Sequence, residues 1–168
     1  RLSSDEILNW ISIGFSSKVN IFNHGVLPSG SMPIILKKFS YDLGIIISAS
    51  HNPAEYNGIK LIQENGSKLD DDVEISIEKN IDSLELPNQH AEIINLSDGH
   101  LEYLNFLDKV ADIDFSSFQI LIDAANGSAS TVIKDLFDKK NANYRIINNQ
   151  PDGLNINKDC GATVPENL

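Results

Sequence analysis

The stretch Gly44-Ile45-Ile46-Ile47-Ser48 constrains the fold more than any other in the chain. Its three consecutive isoleucines are β-branched and favour extended backbone. An apolar run without polar alternation is the pattern of a strand covered on both faces by helices. The residues from Ala49 to Asn57 then form a loop at the carboxyl end of that strand, and ligands of open α/β folds bind at such ends.

Helical and extended patterns alternate around this strand. Ser3 and Glu6 have capping-box spacing, and Ile7, Leu8, Ile11 and Phe15 follow at helical intervals, which predicts a first helix to about Ser17. Val19 to Phe22 alternates as a short strand, and a loop with Gly25, Pro28, Gly30 and Pro33 leads to a brief helix ending near Phe39. Ile59, Leu61 and Ile62 predict a strand, and Val73, Ile77 and Ile81 a helix from Asp70 to Ile81. Leu84 to Gly99 has weak periodicity and reads as the end of a first domain, 1–98. A helix at about Leu101 to Val110 opens a second unit, 99–168, with strands at Phe118 to Ile122 and Tyr144 to Ile147, a turn from Asp123 to Gly127, and a helix from Ser130 to Phe137. This alternation argues α/β architecture and leaves strand direction open. The second unit is small for an independent core, so either it leans on the first or its domain continues beyond Leu168.

With 168 residues, 41% of them hydrophobic and 22% charged, the composition is that of a soluble globular protein, and no apolar run approaches membrane-spanning length. A net charge of -11 with no local basic cluster argues against nucleic acid and anionic membranes as partners. The acidic run Asp70-Asp71-Asp72-Val73-Glu74 suits a solvated helix N-terminus and lacks EF-hand spacing. A single cysteine, Cys160, permits no intrachain disulfide, which fits a cytoplasmic location. The opening at Arg1, without Met or a targeting segment, suggests a piece of something longer.

On residue types alone, Ser50-His51-Asn52-Pro53 reads as a turn. The longer string Gly44-Ile45-Ile46-Ile47-Ser48-Ala49-Ser50-His51-Asn52-Pro53, followed by Tyr56-Asn57-Gly58-Ile59-Lys60, resembles the α-D-phosphohexomutase superfamily and, within it, the phosphoglucosamine branch. Gln150-Pro151-Asp152-Gly153-Leu154-Asn155-Ile156-Asn157, with Cys160-Gly161-Ala162-Thr163, resembles that branch's second domain, and Ile122-Asp123-Ala124-Ala125-Asn126-Gly127 resembles its first strand and turn.

The resemblance implies a mixed sheet sandwiched by helices in domain 1 and a partial domain 2 of similar α/β topology. It implies an intramolecular phosphotransferase acting on a hexosamine phosphate, glucosamine 6-phosphate to glucosamine 1-phosphate, through a phosphoserine and a 1,6-bisphosphate, on the route to cell-wall precursors. Ser50 is then the phosphoserine, and its phosphate contributes one ligand to Mg²⁺, the other metal ligands lying outside this chain. His51 would donate to the phosphate or move a proton, Lys60 would stabilise charge or transfer a proton in the cleft, and Arg1 would be the remnant of an arginine motif that meets phosphate. Pro28-Ser29-Gly30 departs from the family's Pro-Thr-Pro, which is expected to loosen that loop. The Asp123 turn and the Asp152-Gly153 pair read as structural, and His24, His90 and His100 lack ligand spacing. Without the metal loop and sugar site the chain alone is expected to be inactive. A phosphomannomutase or phosphoglucomutase, or a non-catalytic sugar-phosphate-binding module, are the competing readings. A serine hydrolase is disfavoured because no Gly-x-Ser-x-Gly elbow is present.

Overall fold

The computed structural model describes residues 1–168 and is α/β throughout. Its elements run α1 (Ser4–Gly14), β1 (Asn20–Asn23), α2 (Met32–Phe39), β2 (Leu43–Ile47), β3 (Ile59–Gln63), α3 (Asp71–Asn80), β4 (Glu92–Asn95), α4 (Asp98–Val110), β5 (Gln119–Asp123), α5 (Ser130–Lys139) and β6 (Asn143–Ile147). The strands hydrogen-bond as three two-stranded ladders, β1 with β4 and β5 with β6 in parallel, β2 with β3 antiparallel. Parallel and antiparallel pairings thus coexist, in separate ladders.

The isoleucine run forms β2, but Ile45, Ile46 and Ile47 are only half-buried and Leu43 is exposed. Helices α1 and α2 both pack on β2, but a ladder only two strands wide leaves its isoleucines partly uncovered. Gly44 is the buried point of the strand. A Cβ there would lie 2.6 Å from the Met32 sulfur, so its absence lets α2 close on β2.

Three local expectations change for long-range reasons. Ser3 makes no capping bond; its hydroxyl and that of Ser4 instead accept from the Asn57 amide at 3.3 and 3.2 Å, and α1 ends at Gly14. The segment Leu84 to Gly99 is not only a linker, because Glu92 to Asn95 adds β4 alongside β1 in register from Asn20↔Glu92 to Asn23↔Asn95. Pro28 to Ser31 does not become irregular: Ser29–Ser31 forms a 3-10 turn, Ser31 is buried, and a Cβ on Gly30 would stand 3.3 Å from the Tyr103 hydroxyl.

The helix α4 joins the two units. It packs on α2 from the first and on α5 from the second, with Lys38 and Glu102 paired at 3.2 Å. Its N-terminus sits on an aromatic cluster of Phe22, His24, Phe39 and Tyr41, in which Phe22 and Tyr41 stack at 5.0 Å. Only 12 of 168 residues are buried, which leaves large apolar side chains such as Trp10, Tyr56 and Ile59 open near the loop after β2. No helix is long and apolar enough to cross a membrane.

Candidate active site

The loop after β2 is closed at its neck by the ladder itself. Ser48 N–H donates to the Gly58 carbonyl at 2.9 Å, one step beyond the Ile47↔Ile59 pair. Inside the loop Ser50 N–H donates to Ser48 Oγ at 3.1 Å and Asn52 N–H to the Ala49 carbonyl at 3.1 Å. Ala54 is buried and anchors the far side, whereas Ser50, His51, Asn52 and Pro53 are exposed. Ser50 itself has φ of 53°, a left-handed conformation that costs an L-residue about 1–2 kcal/mol.

What holds that conformation lies far away in sequence. The Arg1 guanidinium, just before α1, donates to the carbonyls of Ser50 (2.5 Å), Asn52 (2.9 Å), Pro53 (2.6 Å) and Tyr56 (3.1 Å). Partial burial pulls its pKa below the ordinary arginine value, and the group still carries its charge at physiological pH. The Asn157 side-chain amide donates to the same Ser50 and Asn52 carbonyls at 3.1 and 3.0 Å. Neutral carbonyls alone would not call for a cation; a guanidinium seated on them adds a fixed positive charge beside the serine, a place where phosphoryl oxygens are stabilised.

Asn157 is delivered by the second unit's own turn. Its N–H donates to the Ala125 carbonyl at 2.9 Å, and its φ of 58° is one that asparagine tolerates well. That turn is organised by Asp123, whose carboxylate accepts from Ala125 N–H (2.8 Å), Asn148 Nδ2 (3.0 Å) and Gly161 N–H (2.7 Å). Burial acts to raise the Asp123 pKa, but the three donors together outweigh it and hold the carboxyl below its usual range. Gly161 can approach because it has no side chain: a Cβ would fall 2.6 Å from that of Ala125. The Asp152 carboxylate likewise caps its own turn, accepting from Leu154 and Asn155 N–H at 2.7 and 2.8 Å.

Of the residues singled out in the sequence, Ser50 and His51 share the loop apex and Arg1 is drawn onto the loop's backbone. Lys60 stands exposed on β3, across the ladder from Ile46 at the neck. His90 contacts the Ile13 carbonyl and His100 the Asp135 carboxylate. No group of three or more His, Cys, Asp or Glu is placed to hold a metal ion. The donor set of this chain therefore does not make a Mg²⁺ centre by itself.

A family model described as phosphoglucomutase/phosphomannomutase, alpha/beta/alpha domain I, matches residues 1–88. The chain belongs to this family. Among solved structures, a phosphoglucomutase/phosphomannomutase family protein from Burkholderia thailandensis superposes with a TM-score of 0.73 at 22% identity, over 91% of this chain and 35% of that one, which shows a common fold. The phosphoglucosamine mutase of Clostridioides difficile (strain 630) is 35% identical over 100% of this chain, and that of Alkaliphilus oremlandii (strain OhILAs) is 37% identical over 99%. The chain spans 39% and 38% of the length of those curated relatives.

Sequence reading did not single out Asn157. It falls inside the second motif of the phosphohexomutase resemblance, but nothing local marks its amide as reaching Ser50, 107 positions away.

Proposed function

We propose that this chain is the serine-bearing part of a phosphoglucosamine mutase. Residues 1–98 form its first domain, and residues 99–168 begin a second that docks on it. Phosphorylated Ser50 would give its phosphoryl group to a hydroxyl of a hexosamine phosphate: the Ser50 Oγ–P bond breaks as a P–O bond to the sugar forms, producing a 1,6-bisphosphate. After reorientation the other phosphoryl group returns to Ser50 Oγ, leaving the isomeric monophosphate. The observation that carries this reading is the exposed Ser50 hydroxyl, on a loop whose carbonyls are gripped by Arg1. Such transfer depends mainly on positioning and on neutralising the phosphoryl oxygens. Arg1 and Lys60 supply positive charge to this face, and His51 is adjacent to donate a hydrogen bond or carry the proton of the accepting hydroxyl.

The phosphoglucosamine substrate is supported by the names of the relatives that match nearly the whole chain. Mg²⁺ is proposed for the full protein, where it would neutralise phosphoryl charge, with the Ser50 phosphate as this chain's contribution. A cytoplasmic location and a part in cell-wall precursor synthesis follow from the same reading.

The test is incubation of the protein from the complete reading frame with glucosamine 1,6-bisphosphate, followed by peptide mapping. Phosphate on the peptide holding Ser50, lost in Ser50→Ala, is the expected result. Absence of label at Ser50 would sink the mutase reading in favour of a sugar-phosphate-binding module. The same protein should turn over glucosamine phosphate faster than mannose or glucose phosphates. The 168-residue chain by itself should show no mutase turnover in a coupled assay.

A further inference from the structure

The phosphoserine loop is held by both units of the molecule, and the second unit's share falls to one side chain. The polar side-chain contacts that bridge the units are the Lys38–Glu102 ion pair and the Asn157 amide on the loop. The ion pair lies between α2 and α4, and an exposed pair of this kind contributes little. The Asn157 amide instead meets Ser50 and Asn52, the two carbonyls that flank His51 and that Arg1 also holds.

We infer that Asn157 is a positioning residue for Ser50: its amide fixes the left-handed backbone of the serine, so that phosphoryl transfer depends on the second unit being docked. This rests on the mutase reading above. In the left-handed region an L-serine is strained, and it returns toward ordinary backbone angles unless its carbonyl is held. A rotation of that peptide moves Oγ with it. Arg1 comes from the same unit as the loop and holds the carbonyls whatever the second unit does. Asn157 is different, since its backbone is tied to the Ala125 carbonyl and hence to the Asp123 turn. Docking therefore completes the grip, and separation of the units releases half of it. The device couples the reactivity of the serine to the relative placement of the units.

Two substitutions isolate the amide. Asn157→Asp keeps shape and tolerance of positive φ, but its carboxylate has no donor and faces two carbonyl oxygens. Asn157→Gly keeps the backbone and removes the side chain. In the complete protein, the single-turnover rate of Ser50 labelling by glucosamine 1,6-bisphosphate should fall by about tenfold to a hundredfold in both, since small misplacements of a reacting group carry penalties of that size. The bisphosphate concentration giving half-maximal rate should stay within about twofold, because the amide touches the loop backbone. Amide exchange in the peptide covering residues 48–58 should quicken in both variants while peptides of β5 and α5 stay unchanged. Unchanged labelling rates in both variants, with or without faster exchange, would overturn the role of Asn157. A wild-type protein that takes no label overturns the mutase reading instead, so the two failures are separable.

Discussion

Two loops in this chain leave the carboxyl end of a strand, and they use their polar groups in opposite ways. After β5, the Asp123 carboxylate is consumed by three donors of its own unit, Ala125 N–H within the turn and Asn148 Nδ2 and Gly161 N–H from later in the chain. After β2, the backbone is gripped from outside by Arg1 and Asn157, while Ser50 and His51 are left exposed. A loop whose acidic side chain is saturated by donors of its own unit is a structural turn. A loop whose carbonyls are restrained by others, with its hydroxyl and imidazole turned out to solvent, is available to a ligand. The sequences at the two places look equally polar; the difference lies in which groups are engaged, the side chain in one loop and the backbone carbonyls in the other.

The largest effect expected from this contrast is on stability, at Asp123. Asp123→Ala strands two backbone donors and the Asn148 amide; an unsatisfied buried group costs about 1–3 kcal/mol, and only Gly161 of the three is fully buried, so a total loss of about 2–4 kcal/mol is expected. A urea midpoint that does not move would mean that the turn is held by something other than the carboxylate. Asp123 also sets a pH dependence. Its folded pKa is depressed, so the unfolded state binds protons more readily; the stability it contributes is complete above the ordinary carboxyl value of about 3.9 and is lost as pH falls through the lower folded value.

At Ser50 the sign reverses. Ser50→Gly removes the hydroxyl and also relieves an L-residue held at a φ of 53°, while the carbonyl that Arg1 and Asn157 bind remains. The gain should be about 0.5–1 kcal/mol, less than the full strain because glycine also frees the unfolded chain. Thermal unfolding of Ser50→Gly beside Ser50→Ala checks it. A destabilised glycine variant would show that the serine is not strained at all. A more stable, unreactive glycine variant is the signature of a residue kept for chemistry at the expense of backbone comfort.

The local elements were legible because they depend on neighbours in sequence. α2, β3, α3, α5 and the parallel pair β5 and β6 fall within a few residues of where apolar spacing predicts them. β4 was not, since Glu92 to Asn95 is short, half-exposed and extended only because β1 lies beside it. The capping box failed for a related reason: Ser3 has the right spacing to Glu6, yet Asn57, 54 positions on, takes its hydroxyl. The site shows the same division. Ser50, His51, Lys60 and the terminal Arg1 stand out through the resemblance, whereas the grip of Arg1 on backbone carbonyls and the whole part of Asn157 leave no signature in residue type.

The smallest effect concerns the seat of α4, the helix that keeps the two loops in register. His24 is buried beneath its N-terminus: Nε2 lies 3.2 Å from the Tyr41 hydroxyl, Nδ1 has no hydrogen-bond partner, and the Asp98 carboxylate is 3.8 Å away. A Cβ on Gly99 would sit 2.7 Å from Nδ1, so the missing side chain is what lets the start of α4 close on the ring. Burial lowers the His24 pKa and Asp98 only partly restores it; Tyr41, itself pushed up by burial and Asp98, stays neutral in this range. The unfolded state therefore takes up a proton first, near pH of about 6.5, and stability that is complete above that value declines as pH falls toward the lower folded pKa. Melting temperatures measured from neutral pH down to mildly acidic pH should fall more steeply for the native protein than for His24→Phe, which keeps the aromatic stacking with Phe39 and Tyr41 but cannot titrate. Parallel curves for the two would mean that the imidazole is solvated in the folded state and that α4 does not seal it. A steeper native curve, together with faster Ser50-loop exchange at the acid end, would tie the seat of this helix to the grip of Asn157 on the serine.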